Sequence, residues 1–420
     1  MRLAIIPLFP LVIIGFGWNG SDCRRRTRVG PFALTKSNEH AAAAQASKST
    51  LPVGVTALLS LKNDGGVVVG DKRGNLRVER LRRDKNGTTI GKTIVSATPF
   101  GRFVNGVTSR PTPIFCLATG DISGTTDMDG DKGSHVLFSG AGDRFLSVWQ
   151  RDDQGRWVFS TELGPHTGWV RDILYIKQTN HLHSIGCNCI ETWVPTSASN
   201  PEPGQWQHWK KSSIESSPSE GATLSSDLLC LAASKDSHFF AGGVDGRVHV
   251  WDSTTMESPV HSFPAHQARL NALAFSDKGL LYTGGNDGQV KAWQCDAKKG
   301  LFDQLAVYAL ENGRVTSLAL LDLGSCGAST TVLDYEYVLC GTNEGVVLLL
   351  QSQPDKPSSL KLVTSFQLMH QPIVNSMCLH REGHDENFLW IGHSAGLSVF
   401  PLSDFVNVTL LGFDESNCKH

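Results

Sequence analysis

The densest run of metal-type ligands in the chain is His181-Leu-His183-Ser-Ile-Gly-Cys187-Asn-Cys189, two histidines and two cysteines within nine residues. Histidine and cysteine are the usual zinc ligands. Residues two apart share one face of a strand, but turn residues need not point with them. Two readings follow: a zinc site, or strand histidines followed by a cysteine-bearing turn. The second is preferred, so no metal is expected. Asp127-Met-Asp129-Gly-Asp131 opens like a calcium loop, but Lys132 and Phe138 stand where such a loop needs its glycine and its bidentate glutamate. An acidic loop is the better reading. Nucleophile elbow, phosphate-binding loop and zinc-protease helix are all absent from the sequence. No catalytic residue and no cofactor are expected.

The elements that would position these residues repeat. Phe240-Ala-Gly-Gly-Val-Asp-Gly-Arg-Val-His-Val-Trp251 and Tyr282-Thr-Gly-Gly-Asn-Asp-Gly-Gln-Val-Lys-Ala-Trp293 share one plan. An apolar strand meets a Gly/Asp turn, and an alternating strand ends in Trp. Leu137–Trp149 is a third copy and Ser184–Trp193 a fourth with an altered turn. Weaker copies surround Gly74, Gly345 and Gly396. Aligned on the turn, the seven fall at Gly74, Arg144, Asn188, Gly246, Gly288, Gly345 and Gly396, at intervals of 70, 44, 58, 42, 57 and 51 residues. The shortest intervals suit a four-stranded propeller blade of about 40–45 residues. The longer ones carry polar insertions at 81–110, 121–134, 195–224 and 322–332, which are expected to be loops. Near-continuously apolar runs precede each hairpin, including Val55–Leu61, Leu228–Ala233, Leu270–Phe275, Val315–Leu321 and Ile373–Leu379. Such runs suit strands buried on both faces. Phe405–Phe413 is a candidate outer strand for the last blade, which leaves open how the ring closes.

This pattern resembles the WD-repeat family over roughly residues 52–413, and the resemblance implies an all-β, seven-bladed β-propeller. In that family a His before the inner strand, a Ser/Thr, a turn Asp and a Trp form a buried hydrogen-bond network. Blade five matches in full with His266, Thr283, Asp287 and Trp293. Blade three keeps His166, Ser184 and Trp193, with Cys187 where Asp is expected. Blades two and four keep Asp143/Trp149 and Asp245/Trp251 without the His. The resemblance also implies a scaffold that binds partner proteins on the ring face made by the loops before the inner strands and by the hairpin turns. Trp169, Arg171, Arg269, Asn271, Arg314 and Asn375, with turn residues Arg144 and Asn188, would line that face. The alternative from another class is a propeller enzyme, or a metal protein with its site in the channel or at His181/Cys187.

Composition agrees with a soluble repeat fold. The chain has 420 residues, of which 40% are hydrophobic and 42 are glycine, and its net charge of −2 gives no reason to expect nucleic acid. Ten cysteines, mostly in apolar strand-like runs, read as reduced buried thiols. Charge is unevenly placed: residues 1–54 carry net +5, leaving −7 for the remainder. Residues 1–18 are an apolar, signal-like segment, and 19–51 a basic Ser/Thr/Ala-rich leader containing Arg24-Arg25-Arg26-Thr-Arg28. A short tail, 414–420, follows the propeller. Signal peptide and transit peptide in series would direct the chain to a plastid through the secretory route; a cytoplasmic protein or a cytoplasm-facing membrane anchor are the alternatives.

Overall fold

The computed structural model describes residues 53–61, 66–83, 89–96, 103–104, 107–108, 112–122, 134–151, 157–196, 205–214, 227–234, 236–321, 335–352, 359–382 and 386–402. Every extended element among them is a β-strand. Seven antiparallel sheets are each laid down as a meander, six with four strands and the seventh with three, beside one two-residue hairpin at Phe103–Val104 and Val107–Thr108. The leader, the calcium-like run at 127–131 and Phe405–Phe413 lie outside the described residues.

The innermost strands are Val55–Leu61, Ile114–Ile122, Val170–Ile176, Leu228–Ala233, Leu270–Phe275, Val315–Leu321 and Val374–Glu382. Each packs against the next, and the seventh packs against the first, which closes a seven-bladed propeller. Their apolar runs serve two neighbours at once. Ile185 and Ile190 of blade three share a core cluster with Leu228, Phe239 and Trp251 of blade four. Across the closing junction, Phe388 and Trp390 of blade seven share one with Val55, Val67 and Val69 of blade one. Side chains on both faces of a sheet therefore find apolar partners, as a propeller core requires.

Two expected insertions are corrected. Segment 81–110 contains the outer strand Thr89–Ser96, and 195–224 contains Trp206–Ser213, the outer strand of blade three. Trp206–Ser213 keeps most of its side chains in water, so Trp-Gln-His-Trp-Lys-Lys carries the polar sequence of a loop.

All seven inner strands shift register at their second residue, just after a fully or almost fully buried first residue. A bulge turns one side chain out of the alternation. At four junctions that side chain reaches the carbonyl of the next blade. Thr56 Oγ1 donates to Ile114 O, Asn271 Nδ2 to Val315 O at 2.6 Å, Thr316 Oγ1 to Val374 O at 2.6 Å, and Asn375 Nδ2 to Val55 O at 2.6 Å. The last of these spans the closing junction, as does the Leu58 N–H donating to Ser376 Oγ at 3.2 Å. Blades seven and one thus close by lateral packing and side-chain bonds. Asn375→Ala should leave the Val55 carbonyl without that donor and cost about 1–2 kcal/mol. Asn375→Thr should restore most of it, because Thr56 and Thr316 do the same work. Urea unfolding of both variants tests this; equal losses for Ala and Thr would remove the bond from the account.

Candidate functional site

The hairpin turns open onto the same end of the ring as the loops that lead into the inner strands. Turn geometry is set by one left-handed residue per hairpin. Gly74, Arg144, Gly246, Gly288 and Gly345 have φ between 72° and 79°. The preceding Asp fixes three of these turns. Asp143, Asp245 and Asp287 each accept a backbone N–H from two residues on, at 3.1, 3.0 and 3.2 Å. Aspartate favours this because its short side chain can bond its own following backbone.

Blade three departs from the expected alignment. Gly186 pairs with Cys189 and leaves two residues between them, whereas the last pair of blade five, Gly284 and Val290, leaves five. Cys187, at φ 58°, is the left-handed residue, and Asn188 is not. The turn Asp is therefore deleted, and Cys187 does not take its place.

The consequence shows in the buried networks. In blade five Trp293 Nε1–H donates to Thr283 Oγ1 at 3.0 Å, and Thr283 lies 2.7 Å from His266 Nε2. His266 Nδ1 lies 2.8 Å from Asp287 Oδ1. Burial lowers the imidazole's pKa, with Asp287 opposing, so His266 is neutral near pH 7. The chain of donors then reads Trp to Thr to His to Asp, with the His proton on Nδ1. In blade three Trp193 Nε1–H donates to Ser184 at 3.0 Å and Ser184 meets His166 Nε2 at 2.6 Å. His166 Nδ1 turns instead to the Arg144 carbonyl of blade two at 3.2 Å. A backbone oxygen from the neighbouring blade replaces the missing carboxylate.

Blades two and four find other partners. Trp149 donates to Ser139 Oγ at 3.1 Å. Trp251 donates across the junction to Ser212 Oγ of blade three at 3.0 Å, while His249 Nε2 lies 3.4 Å from Asp245 Oδ2. Asp287→Ala should strand His266 and cost about 1–3 kcal/mol. Cys187→Ala should cost less than about 0.5 kcal/mol, as an ordinary surface change does. Chemical denaturation of both variants checks the contrast.

The His/Cys run is split. His181 and His183 sit at the far end of the hairpin, where His181 Nδ1 meets Ser253 O at 3.0 Å and His183 Nδ1 meets Thr192 Oγ1 at 3.0 Å. Cys189 at the turn contacts Thr167 Oγ1 and Gly186 O, both at 3.1 Å. The strand rise separates His183 from the cysteines by about 10 Å or more. Among the described residues no three His, Cys, Asp or Glu side chains gather as a metal site would need.

The expected binding residues fall into two groups. Asn271 and Asn375 are part of the junction bonding already described. Trp169, Arg269, Arg314, Arg144 and Asn188 are exposed on the turn-bearing end, with Arg171 half-buried among them. Phe115, which the sequence pattern did not single out, completes a cluster with two of these. Its ring stacks on Trp169 with centroids 5.5 Å apart and planes 20° from parallel. The Arg171 guanidinium carbon lies 4.9 Å from each ring centroid. Burial, then the positive charge of Arg269, lowers the Arg171 pKa, and Asp227 opposes both. Position alone could have flagged Phe115, since it occupies in blade two the bulge site that Arg171 occupies in blade three.

Behind this cluster the inner strands of blades two to four carry Cys116, Asp172 and Cys230. Burial raises both thiols well above their ordinary pKa, so they stay protonated and are poor nucleophiles. Both Asp172 oxygens accept backbone N–H bonds, from Ile173 at 2.9 Å and from Leu231 of blade four at 2.8 Å. These groups hold the ring together.

Residues 219–252 and 257–294, which span blades four and five, match the family model described as WD domain, G-beta repeat. Together with the closed ring of seven sheets, these two matched repeats support a β-propeller of the WD-repeat type. No curated protein matches the chain.

Proposed function

We propose that the chain is a scaffold that binds a partner protein at the end of the ring where Phe115, Trp169 and Arg171 cluster. The observation that carries this is the exposure of Trp169. It leaves 40% of its surface in water while its ring stacks on Phe115 and the Arg171 guanidinium lies against both rings. Tryptophan and arginine dominate binding energy at protein interfaces, and a side chain already ordered loses little entropy on docking.

The test is affinity purification of the tagged full chain followed by mass spectrometry. A partner captured by the wild type should be lost with Trp169→Ala. Trp209→Ala is the matched control, since Trp209 is 41% exposed on an outer strand of the same blade. Equal loss with both, or with neither, would overturn the docking site.

We propose further that the leader directs the chain through the secretory route to a plastid. Its order of signals, an apolar run and then a basic acid-poor stretch, supports this. Amino-terminal sequencing of the native protein checks it, and an intact Met1 on cytosolic protein would overturn it.

A further inference from the structure

The loop between blades six and seven displays apolar side chains on the same end of the ring as Trp169. Met369 is 83% exposed, more than any other large hydrophobic side chain among the described residues, and Ile373 is 44% exposed. The residue just before each inner strand is, in blade order, Gly54, Pro113, Trp169, Asp227, Arg269, Arg314 and Ile373. Only blades three and seven place a large, exposed apolar side chain there. In a closed ring of seven sheets no two blades stand further apart than these.

The loop is held in a costly shape. His370 and Gln371 are adjacent non-glycine residues with φ of 66° and 49°. The left-handed region is unfavourable for residues with a Cβ and persists only where the surroundings enforce it. Here both ends are tied. The N–H of buried Leu368 donates to the Gly345 carbonyl at 2.8 Å, and the Gln371 N–H closes the turn on the Leu368 carbonyl at 3.2 Å. Ile373 N–H donates to Ser394 Oγ at 3.0 Å, and Ser394 N–H returns to the Ile373 carbonyl at 2.9 Å. The turn lies so close to the blade-six hairpin that a Cβ on Gly345 would meet Gln371 Cα and Pro372 O at 2.9 Å. Met369 is therefore presented by a fixed turn, and docking has only its side chain left to order. Methionine is unbranched and polarisable, so it fits irregular apolar surfaces. Folding gains little from holding a strained backbone to keep an apolar tip in water, whereas docking gains directly.

We propose that Met369 and Ile373 form a second anchor for the partner protein engaged by Trp169, and that this partner is a folded domain lying across the ring from blade three to blade seven. It carries two apolar surfaces, one for each anchor. This rests on the scaffold reading above and names the kind of partner. A closed ring keeps its anchors at a fixed separation, which suits a preformed surface. A flexible peptide would have to order its whole length to reach both.

The experiment measures the affinity of the partner captured by the wild type, once purified, for variants of the full chain. Met369→Asn and Ile373→Asn should each weaken binding at least tenfold. Met369→Leu, which keeps the apolar bulk, should recover most of what Met369→Asn loses. Leu362→Asn is the control, since Leu362 is 44% exposed on the outer strand of blade six, near the opposite end, and should alter affinity less than twofold. Overlapping synthetic peptides that cover the partner should each bind at least tenfold more weakly than the intact protein. Melting temperatures confirm that each variant is folded. Affinity that survives either asparagine substitution in a folded chain, or one peptide that binds as tightly as the whole partner, would overturn the spanning domain. If Trp169→Ala still released the partner in those cases, the scaffold reading would stand alone. A partner that needed Met369 and Ile373 but not Trp169, or no captured partner at all, would overturn both.

Discussion

Replacing Trp251 by alanine should cost the ring about 3–5 kcal/mol, as the loss of a fully buried large aromatic does. Trp251 has no exposed surface. It stacks on Phe239 with centroids 6.0 Å apart and planes 10° from parallel, in a cluster that also contains Ile185 and Ile190 of blade three. Its N–H donates to Ser212 Oγ on the outer strand of blade three, and Ser212 donates in turn to the Glu257 carbonyl at 3.0 Å. The residue therefore fills space within its own blade and ties two blades together. Trp251→Phe should be much milder, keeping the stacked ring and losing the donor. Ser212→Ala should cost about 1–3 kcal/mol in the wild type, where it strands the indole N–H, and less in the Trp251→Phe background. Urea unfolding of the three variants and the double mutant measures this. A loss below about 1 kcal/mol for Trp251→Ala would show that neighbouring side chains close the gap.

The stability of the ring should also depend on the ionisation of Asp172. Burial raises the pKa of its enclosed carboxyl from 3.8 to about 6, while hydrogen bonds from the Leu231 and Ile173 N–H groups oppose the rise. The folded chain then holds a proton that the unfolded chain has already released. Stability from this group is fully present below about pH 4 and is lost as pH rises through about 6. A pKa difference of about two corresponds to about 3 kcal/mol. Asp172→Asn abolishes the titration and keeps one acceptor oxygen. Between pH 4 and pH 7 the difference in unfolding free energy between the two proteins should shift toward the variant by up to about 3 kcal/mol. The thiols of Cys116 and Cys230 contribute no titration there, since burial holds both far above this window. Parallel stability curves for the two proteins would show that the carboxyl keeps its ordinary pKa in the ring.

The hairpins, the blade count and five of the seven inner strands were legible in the sequence. Val55–Leu61, Leu228–Ala233, Leu270–Phe275 and Val315–Leu321 have the bounds their apolar runs suggest, and the strand at Val374–Glu382 begins one residue inside its run. Those features are local: a strand buried on both faces must be apolar, and a left-handed turn residue must be glycine or a tolerated substitute. The blade-five network was legible for the same reason, because all four members fall within one repeat. The outer strands were not: Thr89–Ser96 and Trp206–Ser213 fell inside expected loops, and the other four went unmarked, since a strand with most side chains in water, as in Trp206–Ser213, has little apolar periodicity.

What only the tertiary structure decided is how one repeat supplies the next. Trp251 takes its acceptor from Ser212, 39 residues away on another blade, and His166 takes its own from the Arg144 carbonyl. Asn375 closes the ring on Val55 across 320 residues. The sequence does not announce such pairings, because each links residues of different blades, and even the bond that recurs from the bulge position is made by Thr or Asn in four blades only. The Phe115–Trp169–Arg171 cluster has the same origin. The sequence by itself determined seven similar blades; lateral contact between them decided which side chains hold the ring shut and which stand at its rim, because each blade's unmet hydrogen bonds and apolar faces are satisfied only by its neighbours.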